Sequence, residues 1–491
     1  MPTNDLYDPG LHLFVDDAEL QDYPGFTRKI QQPRRHHEPV LLPDMTWEGN
    51  SIELWGSVLY DPAGQLFKMW YFAIDFQLQE AEGVGHNMCY ATSPDGIEWT
   101  KPELGIVENR GSSANNIVFP TPEMPAGWGA DPWGVVLDPD DDDPAQRYKF
   151  GFFQTRPASP TRERPGMDDD ERRAIRKIEF AENRDRHGMC AAFSPDGIHW
   201  TLCEDVLVPR GGDAGTLVYD PMGEQYIATT RRYNCITDHF VLEWKQYRRV
   251  AAMSTSKDFV TWSPLTTRLK PDDLDDRRDQ IYVMTPFAYG NQYLGFVGML
   301  ESATELGPVY LASARDLEHW QRVGRRDLLF PTGPPGSWDA AWATMSGNPP
   351  VLVDDTLYVW YTGNSQAHGT RGDARSRIGL ATLRKDGFVA LRCGIRGAQL
   401  MTEPVTVSAP KLFLNATCEF GRVRVRVIDD FSVAEGYDFD DCQGLERADE
   451  VSFEITYGKE GKDLSPFVNR QVRLHIEAEN AASLYSYRFG N

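Results

Sequence analysis

Long apolar runs are missing. None approaches the roughly 20 residues that a membrane-crossing helix requires. The chain opens on Met1-Pro-Thr-Asn-Asp-Leu-Tyr-Asp8, with neither the basic stretch nor the apolar stretch of a secretory leader. Positive charge is scarce: 50 Lys and Arg stand against 73 Asp and Glu, a net charge of −23. Nucleic-acid backbones and anionic membranes both demand clustered cations, so neither is an expected partner. Cysteine is sparse. The seven residues are Cys89, Cys190, Cys203, Cys235, Cys393, Cys418 and Cys442, an odd number with no CxxC spacing. A disulfide framework is therefore not expected, and a reducing, cytoplasmic setting fits better.

What is present points to β-structure. The 491 residues include 13 Trp and 12% aromatics, and Gly with Pro make up about 15%. Such a length allows two to four domains, or one large β domain with a smaller companion. A repeat organises the chain. His86-Asn-Met-Cys-Tyr-Ala-Thr-Ser-Pro-Asp-Gly-Ile-Glu-Trp99 returns 101 residues later as His187-Gly-Met-Cys-Ala-Ala-Phe-Ser-Pro-Asp-Gly-Ile-His-Trp200. Weaker copies end at Trp262 and Trp320. Each reads as a strand, a tight turn led by Asp95, Asp196, Asp258 or Asp316, and a Trp packed beneath the turn. These turns resemble the Asp boxes of β-propellers.

Upstream of each box lies an acidic residue, then a β-rich run, a turn, and an aromatic strand. The acids are Glu53, Asp131, Asp213 and Asp279, and Asp339 holds the corresponding place in a fifth unit. Five units of about four strands predict an all-β fold with a five-bladed β-propeller over 40–395. Beyond it, segments such as Val423-Arg-Val-Arg-Val427 and Val472-Arg-Leu-His-Ile476 alternate apolar and polar, the pattern of half-buried antiparallel strands. They predict a C-terminal β-sandwich over 396–491. Residues 1–39 are expected to form an arm whose strand, at 11–17, adds to a blade edge.

Propeller geometry converts these positions into a site. The five acids begin the first strand of each blade and should ring one mouth of the axis. The insertions 73–85, 154–186, 231–248, 300–307 and 363–377 fall in the loops that open at that mouth, where a rigid scaffold commonly carries function. The Asp boxes should lie on the opposite face. Convergent carboxylates suit glycoside cleavage, in which one acid protonates the leaving oxygen and a second acts as nucleophile or activates water. Crowding raises the pKa of one of them. Trp47, Trp55, Trp133 and Trp338 offer flat faces for sugar rings. A carbohydrate is thus the expected partner.

The five units with inner-strand acids and the C-terminal sandwich resemble the clan of glycoside hydrolase families 32, 43, 62 and 68. The nearest likeness is to uncharacterised bacterial proteins described as family 32-like. Leu13-Phe-Val-Asp-Asp17, Lys68-Met-Trp-Tyr71, Arg147-Tyr-Lys149, Pro335-Gly-Ser-Trp-Asp339 and Arg384-Lys-Asp-Gly-Phe388 carry the resemblance. It implies a glycosidase acting on a small, furanose-containing glycoside, fructoside or arabinofuranoside-like. By blade order it implies Glu53 as nucleophile or base, with Glu48 and Asp17 as competitors, Asp131 as stabiliser and Asp213 as acid. Asp279 and Asp339 would bind sugar hydroxyls or tune pKa values. Asp131-Pro132 is preceded by Ala130 where family 32 has Arg, and Asp213 stands where that family has Glu-Cys. Blade position is matched while residue type is swapped.

Other constellations point less sharply. His86 with Cys89, and His187 with Cys190, could suggest metal ligands, but repetition on equivalent strands reads as packing, and neither metal nor cofactor is expected. The acidic run at 138–143 lacks EF-hand spacing and reads as a solvated turn. The segment 168–177 reads as a capped, charged helix, a lid or a contact in a homo-oligomer. His368, Arg371, Arg231 and Arg232 could meet substrate hydroxyls or an anion. A glycoside phosphorylase, and a non-catalytic sugar-binding propeller, are the alternative functions.

Overall fold

The computed structural model describes the chain apart from residues 1, 76–85, 122–123, 125–128, 156–187, 204, 236–246, 346, 348 and 369–374. Among the described residues the helical turns are short 3₁₀ segments such as Thr46–Glu48. Five antiparallel sheets follow one another along the chain. Blade one is Ser51–Asp61, Leu66–Ile74, His86–Ser93 and Ile117–Phe119. Blade two runs Gly129–Leu137, Tyr148–Thr155, Gly188–Ser194 and Thr201–Leu202, with Val208–Pro209 also on its third strand. Blade three is Gly215–Asp220, Gln225–Cys235, Tyr247–Ser256 and Thr266–Leu269. Blade four is Gln280–Tyr289, Gln292–Leu300, Val309–Ala314 and Gln321–Arg322. In blade five, Trp342–Thr344 and Val351–Val353 both pair with Thr356–Asn364, which pairs with Arg377–Arg384.

The outermost strand of blade five comes from the other end of the chain. Arg34 and Arg35 pair with Thr382 and Ala381, so the N-terminal arm closes the ring. Hydroxyl side chains stitch neighbouring blades together around the axis. Val135 N–H donates to Ser57 Oγ at 2.9 Å between blades one and two. Thr216 Oγ1 donates to the Met284 carbonyl at 3.0 Å between blades three and four. Thr285 Oγ1 reaches the Met345 carbonyl at 3.2 Å, and Leu54 N–H donates to Thr362 Oγ1 at 2.7 Å, joining blade five to four and to one.

The Asp boxes latch blade to blade. Asp95 Oδ1 accepts from the backbone of Ile97 and Glu98, both at 2.9 Å, and Asp196 repeats the arrangement. The turn then presents a carbonyl to the preceding blade. Trp360 Nε1 donates to Gly96 O at 2.9 Å, and Trp70 Nε1 to Gly197 O at 2.6 Å. A glycine is required at each place, because φ is +78° and +81° and a Cβ would lie 2.8 Å and 2.6 Å from the two indoles. Strand register sets the boxes apart from the inner-strand acids. Glu53 lies across from Phe72 and Met88 at one end of blade one, whereas Tyr60, Phe67 and Ser93 align at the other.

Two further sheets form the sandwich. One is ordered Phe26–Ile30, Val389–Cys393, Ser483–Gly490, Lys411–Thr417, Asp449–Tyr457 and Cys442–Gln443. The other is ordered Leu20–Asp22, Ala398–Thr402, Gln471–Ala478, Arg422–Asp429 and Ser432–Val433. Alternation places Val423, Val425 and Val427 fully inside, against Leu474 and Ile476, and sends Arg422, Arg424 and Arg426 outward. The arm departs from expectation here. Leu11–Leu13 pairs with Ser486–Arg488 of the sandwich, not with a blade edge. Val389–Cys393, upstream of residue 396, also belongs to the sandwich. No helix of the described residues is long and apolar enough to cross a membrane. Cys89, Cys190, Cys203, Cys393, Cys418 and Cys442 are free thiols.

Candidate functional site

The residues gathered at the acid-bearing mouth come from all five blades. Glu53 lies at the start of the innermost strand of blade one, just before a bulge: Glu53 faces Phe72, and the next paired residue is Ser57 opposite Trp70. A bulge re-aims side chains. Trp55, inside it, donates its indole N–H to Glu53 Oε2 at 2.7 Å. Ser376, from blade five, donates to Oε1 at 3.0 Å. Burial pushes the Glu53 carboxyl above its ordinary range, against the lowering effect of those two donors; His86 lowers it further and the charge of Asp131 raises it. Asp131, from blade two, meets His86 Nδ1 at 3.2 Å. The His86 ring stands edge-on to Phe72 at 5.0 Å, and its Nε2 is buried without a hydrogen-bond partner.

Tyr282 is the centre of the second half of the mouth. It too sits in a bulge, between Ile281 and Val283 of blade four. Its ring lies 6.1 Å from Trp55, 4.9 Å from Trp342 and 5.3 Å from His368. Arg231 and Arg249, from blade three, each place a guanidinium 5.3 Å from its centroid. Burial raises the phenol pKa, the two guanidiniums oppose this, and Asp213 and Glu53 reinforce it. Asp213 is exposed at the rim and ion-paired with Arg231.

The other expected site residues lie in different surroundings. Asp339 is 2% exposed and held by Arg35 Nε at 2.9 Å, Ser337 Oγ at 2.7 Å and Tyr361 OH at 3.0 Å. It anchors the ring-closing strand and is not brought into the mouth cluster. Asp279 accepts from the backbone N–H of Ser302 at 3.0 Å and of Asp276 at 3.2 Å, which secures the entry to its own strand. Trp133 is fully buried in the core between blades two and three, with Gly215 packed on its indole. Trp338 stacks on Tyr361 at 5.5 Å. Trp133 therefore offers no free face for a sugar. Trp47 donates to Asn116 Oδ1 at 2.7 Å. Arg232 points away from Arg231 and donates to the Leu265 carbonyl at 3.0 Å.

The competitors for Glu53, Glu48 and Asp17, are likewise occupied, as is the neighbouring Asp16. Glu48 is wholly buried, capped by the N–H groups of Asp44 and Met45 at 3.0 Å, and bound by Tyr71 and Lys101. Asp16 pairs with Arg315 at 2.8 Å and Asp17 with Arg28 at 2.7 Å, both in the arm. Arg371, His187 and the segment 168–177 lie outside the described residues. Among the described residues no group of three or more His, Cys, Asp or Glu is arranged to hold a metal ion.

Sequence reasoning missed Tyr282, Trp342, Arg249 and Ser376, and read His86 as packing. A signal for two of them was present. An aromatic follows four of the five inner acids by two or three positions, Asp213 being the exception: Trp55, Trp133, Tyr282 and Trp342. Nothing in the spacing tells which of the four face the axis.

No family model matches the sequence, and no curated protein matches it. Solved structures do resemble it. One is an N-acetylgalactosamine deacetylase from F. plautii in complex with blood group B trisaccharide, at 14% identity over 79% of this chain and 96% of that one, with a TM-score of 0.43. Another was described with the GH130 family of mannoside phosphorylases, containing glycoside hydrolases that target β-1,2 mannosidic linkages in Candida mannan, at 14% identity, 76% and 96% coverage and a TM-score of 0.43. A third is a glycosyl hydrolase from Bacteroides ovatus, at 14% identity, 76% and 97% coverage and a TM-score of 0.42.

Proposed function

We propose that the chain is a glycosidase that cleaves a small, furanose-containing glycoside at the acid-bearing mouth, with Glu53 as the proton donor. One observation carries this reading: a buried carboxyl with raised proton affinity stands beside a second carboxylate, Asp131, that is oriented by a histidine. Two carboxyl groups whose environments differ in this way divide the labour of glycoside cleavage. Glu53 protonates the leaving oxygen. Asp131 serves as base or nucleophile, and His86 holds its carboxylate in place. Trp55 and Tyr282 present rings to the sugar.

Blade order had implied a different assignment, with Glu53 as nucleophile or base, Asp131 as stabiliser and Asp213 as acid. Asp213 is exposed and paired with a guanidinium, a setting for a contact with substrate at the rim. The furanose preference rests on the resemblance to families 32, 43, 62 and 68. A panel of aryl furanosides, fructosides and pyranosides supplies the test substrate. On it, Glu53→Gln should lower turnover by about 10²–10⁴-fold with the fold preserved. The wild-type rate should fall as pH rises through the Glu53 pKa, because the donor then loses its proton. Unchanged turnover in Glu53→Gln sinks the assignment, and phosphate-dependent turnover replaces hydrolysis by phosphorolysis. Sugar binding without turnover across the panel would make the propeller a binding module.

A further inference from the structure

The pairing of Arg231 with Ala251 and of Tyr233 with Arg249 puts Arg231 and Arg249 on one face of blade three, as diagonal neighbours. Arg232 and Arg248 fall on the other face. Like charges brought together in this way repel, and both arginines are withdrawn from water, at 6% and 4% exposure. Arg231 is partnered by Asp213. Arg249 has no carboxylate partner among the described residues, and its Nε is buried without a hydrogen-bond acceptor. The chain carries a net charge of −23, so acids are plentiful, yet among the described residues none pairs with Arg249. A buried guanidinium kept without an acceptor is costly unless a ligand supplies one.

We propose that Arg249, with Arg231 and the Tyr282 hydroxyl, forms an oxyanion subsite at the mouth that takes a sugar carboxylate or inorganic phosphate. The planar guanidinium fork matches both ions by paired N–H donation, which a lysine could not reproduce. The subsite adjoins the proton donor, since the Tyr282 ring lies 6.1 Å from the indole that holds Glu53. It therefore narrows the substrate of the proposed glycosidase, on which it rests, to one presented together with an anionic group.

Calorimetric titration of the full chain at constant ionic strength tests this, with sodium phosphate, sodium glucuronate and neutral glucose as probes. At least one anion should bind the wild type, and Arg249→Gln should weaken it about tenfold or more. Lys257→Gln removes an exposed charge beside the blade-three Asp box, and should leave anion binding unchanged. Should Arg249→Gln not fold, Arg249→Lys keeps the charge, loses the fork, and should still weaken binding severalfold. Binding of glucuronate alone identifies the sugar carboxylate, binding of phosphate alone identifies phosphate, and binding of both supports the shared chemistry. No binding of either anion at about 50 mM, or equal binding by the wild type and the Arg249 variants, overturns the subsite. Glu53-dependent turnover without anion binding would sink the subsite and leave the glycosidase standing; anion binding without turnover would do the reverse.

Discussion

For Glu53, one environment underlies both the proposed role as proton donor and a stability cost. Its carboxyl is buried, so the folded chain holds the proton to higher pH than the unfolded chain, whose glutamates titrate near 4.5. The stability that this group contributes is fully present below pH 4.5 and is lost as pH rises through the folded value. Glu53→Gln removes the titration while keeping the shape. Its unfolding free energy should therefore gain on the wild type between pH 4 and pH 7, measured by urea denaturation at each pH. A constant difference across that range would show that Glu53 titrates normally. Asp339 illustrates a different use of a buried acid: Arg35, Ser337 and Tyr361 surround it, so it serves as a structural anchor.

At the scale of the element, the Asp-box turns serve as latches. The carboxylate of each box organises the turn, and the glycine of the first two boxes lets the N–H edge of an indole from the preceding blade approach it closely. Gly197→Ala should strain the left-handed backbone and drive a methyl into Trp70. Overpacking of this kind costs about 1–3 kcal/mol, and the backbone strain adds to it. The loss should appear as a lower urea midpoint at unchanged slope. Wild-type stability would mean that the Trp70 contact yields without cost. The closing strand of blade five is the complementary case. Arg35→Ala leaves the Asp339 carboxylate buried without its cation, and removal of one partner from a buried pair costs about 3–5 kcal/mol, with a value at the low end because Arg35 keeps some exposure. Thermal unfolding of this variant checks it directly.

For the whole molecule, the arm is the decisive feature. Residues 11–13, 20–22 and 26–30 supply strands to both sandwich sheets, and residues 34–35 supply the last strand of blade five. A chain lacking 1–39 would leave blade five without its outer strand and the sandwich with unpaired edges, a template for aggregation. It should accumulate as insoluble protein, or unfold well below the full chain in calorimetry. Normal solubility and melting would show that the propeller closes without the arm.

The sequence alone determined the parts that depend on local chemistry. Repeated Ser-Pro-Asp-Gly turns with their Trp, and the period-2 alternation of Val423–Val427, are written in neighbouring residues, so blades and sandwich were legible. Glu53 and Asp131 were legible as equivalent places in the repeat. Only the tertiary structure decided which equivalent residues share a role. Asp339 and Asp131 read alike in the chain, yet one meets Arg35 from 304 residues away and the other meets His86. Trp133 and Trp55 read alike, yet one is core and the other faces the mouth. The destination of the arm was also hidden, because three short strands find their partners only at the far end of the chain. A carboxylate or an indole is defined by what packs around it, and that packing comes from segments no local pattern can identify.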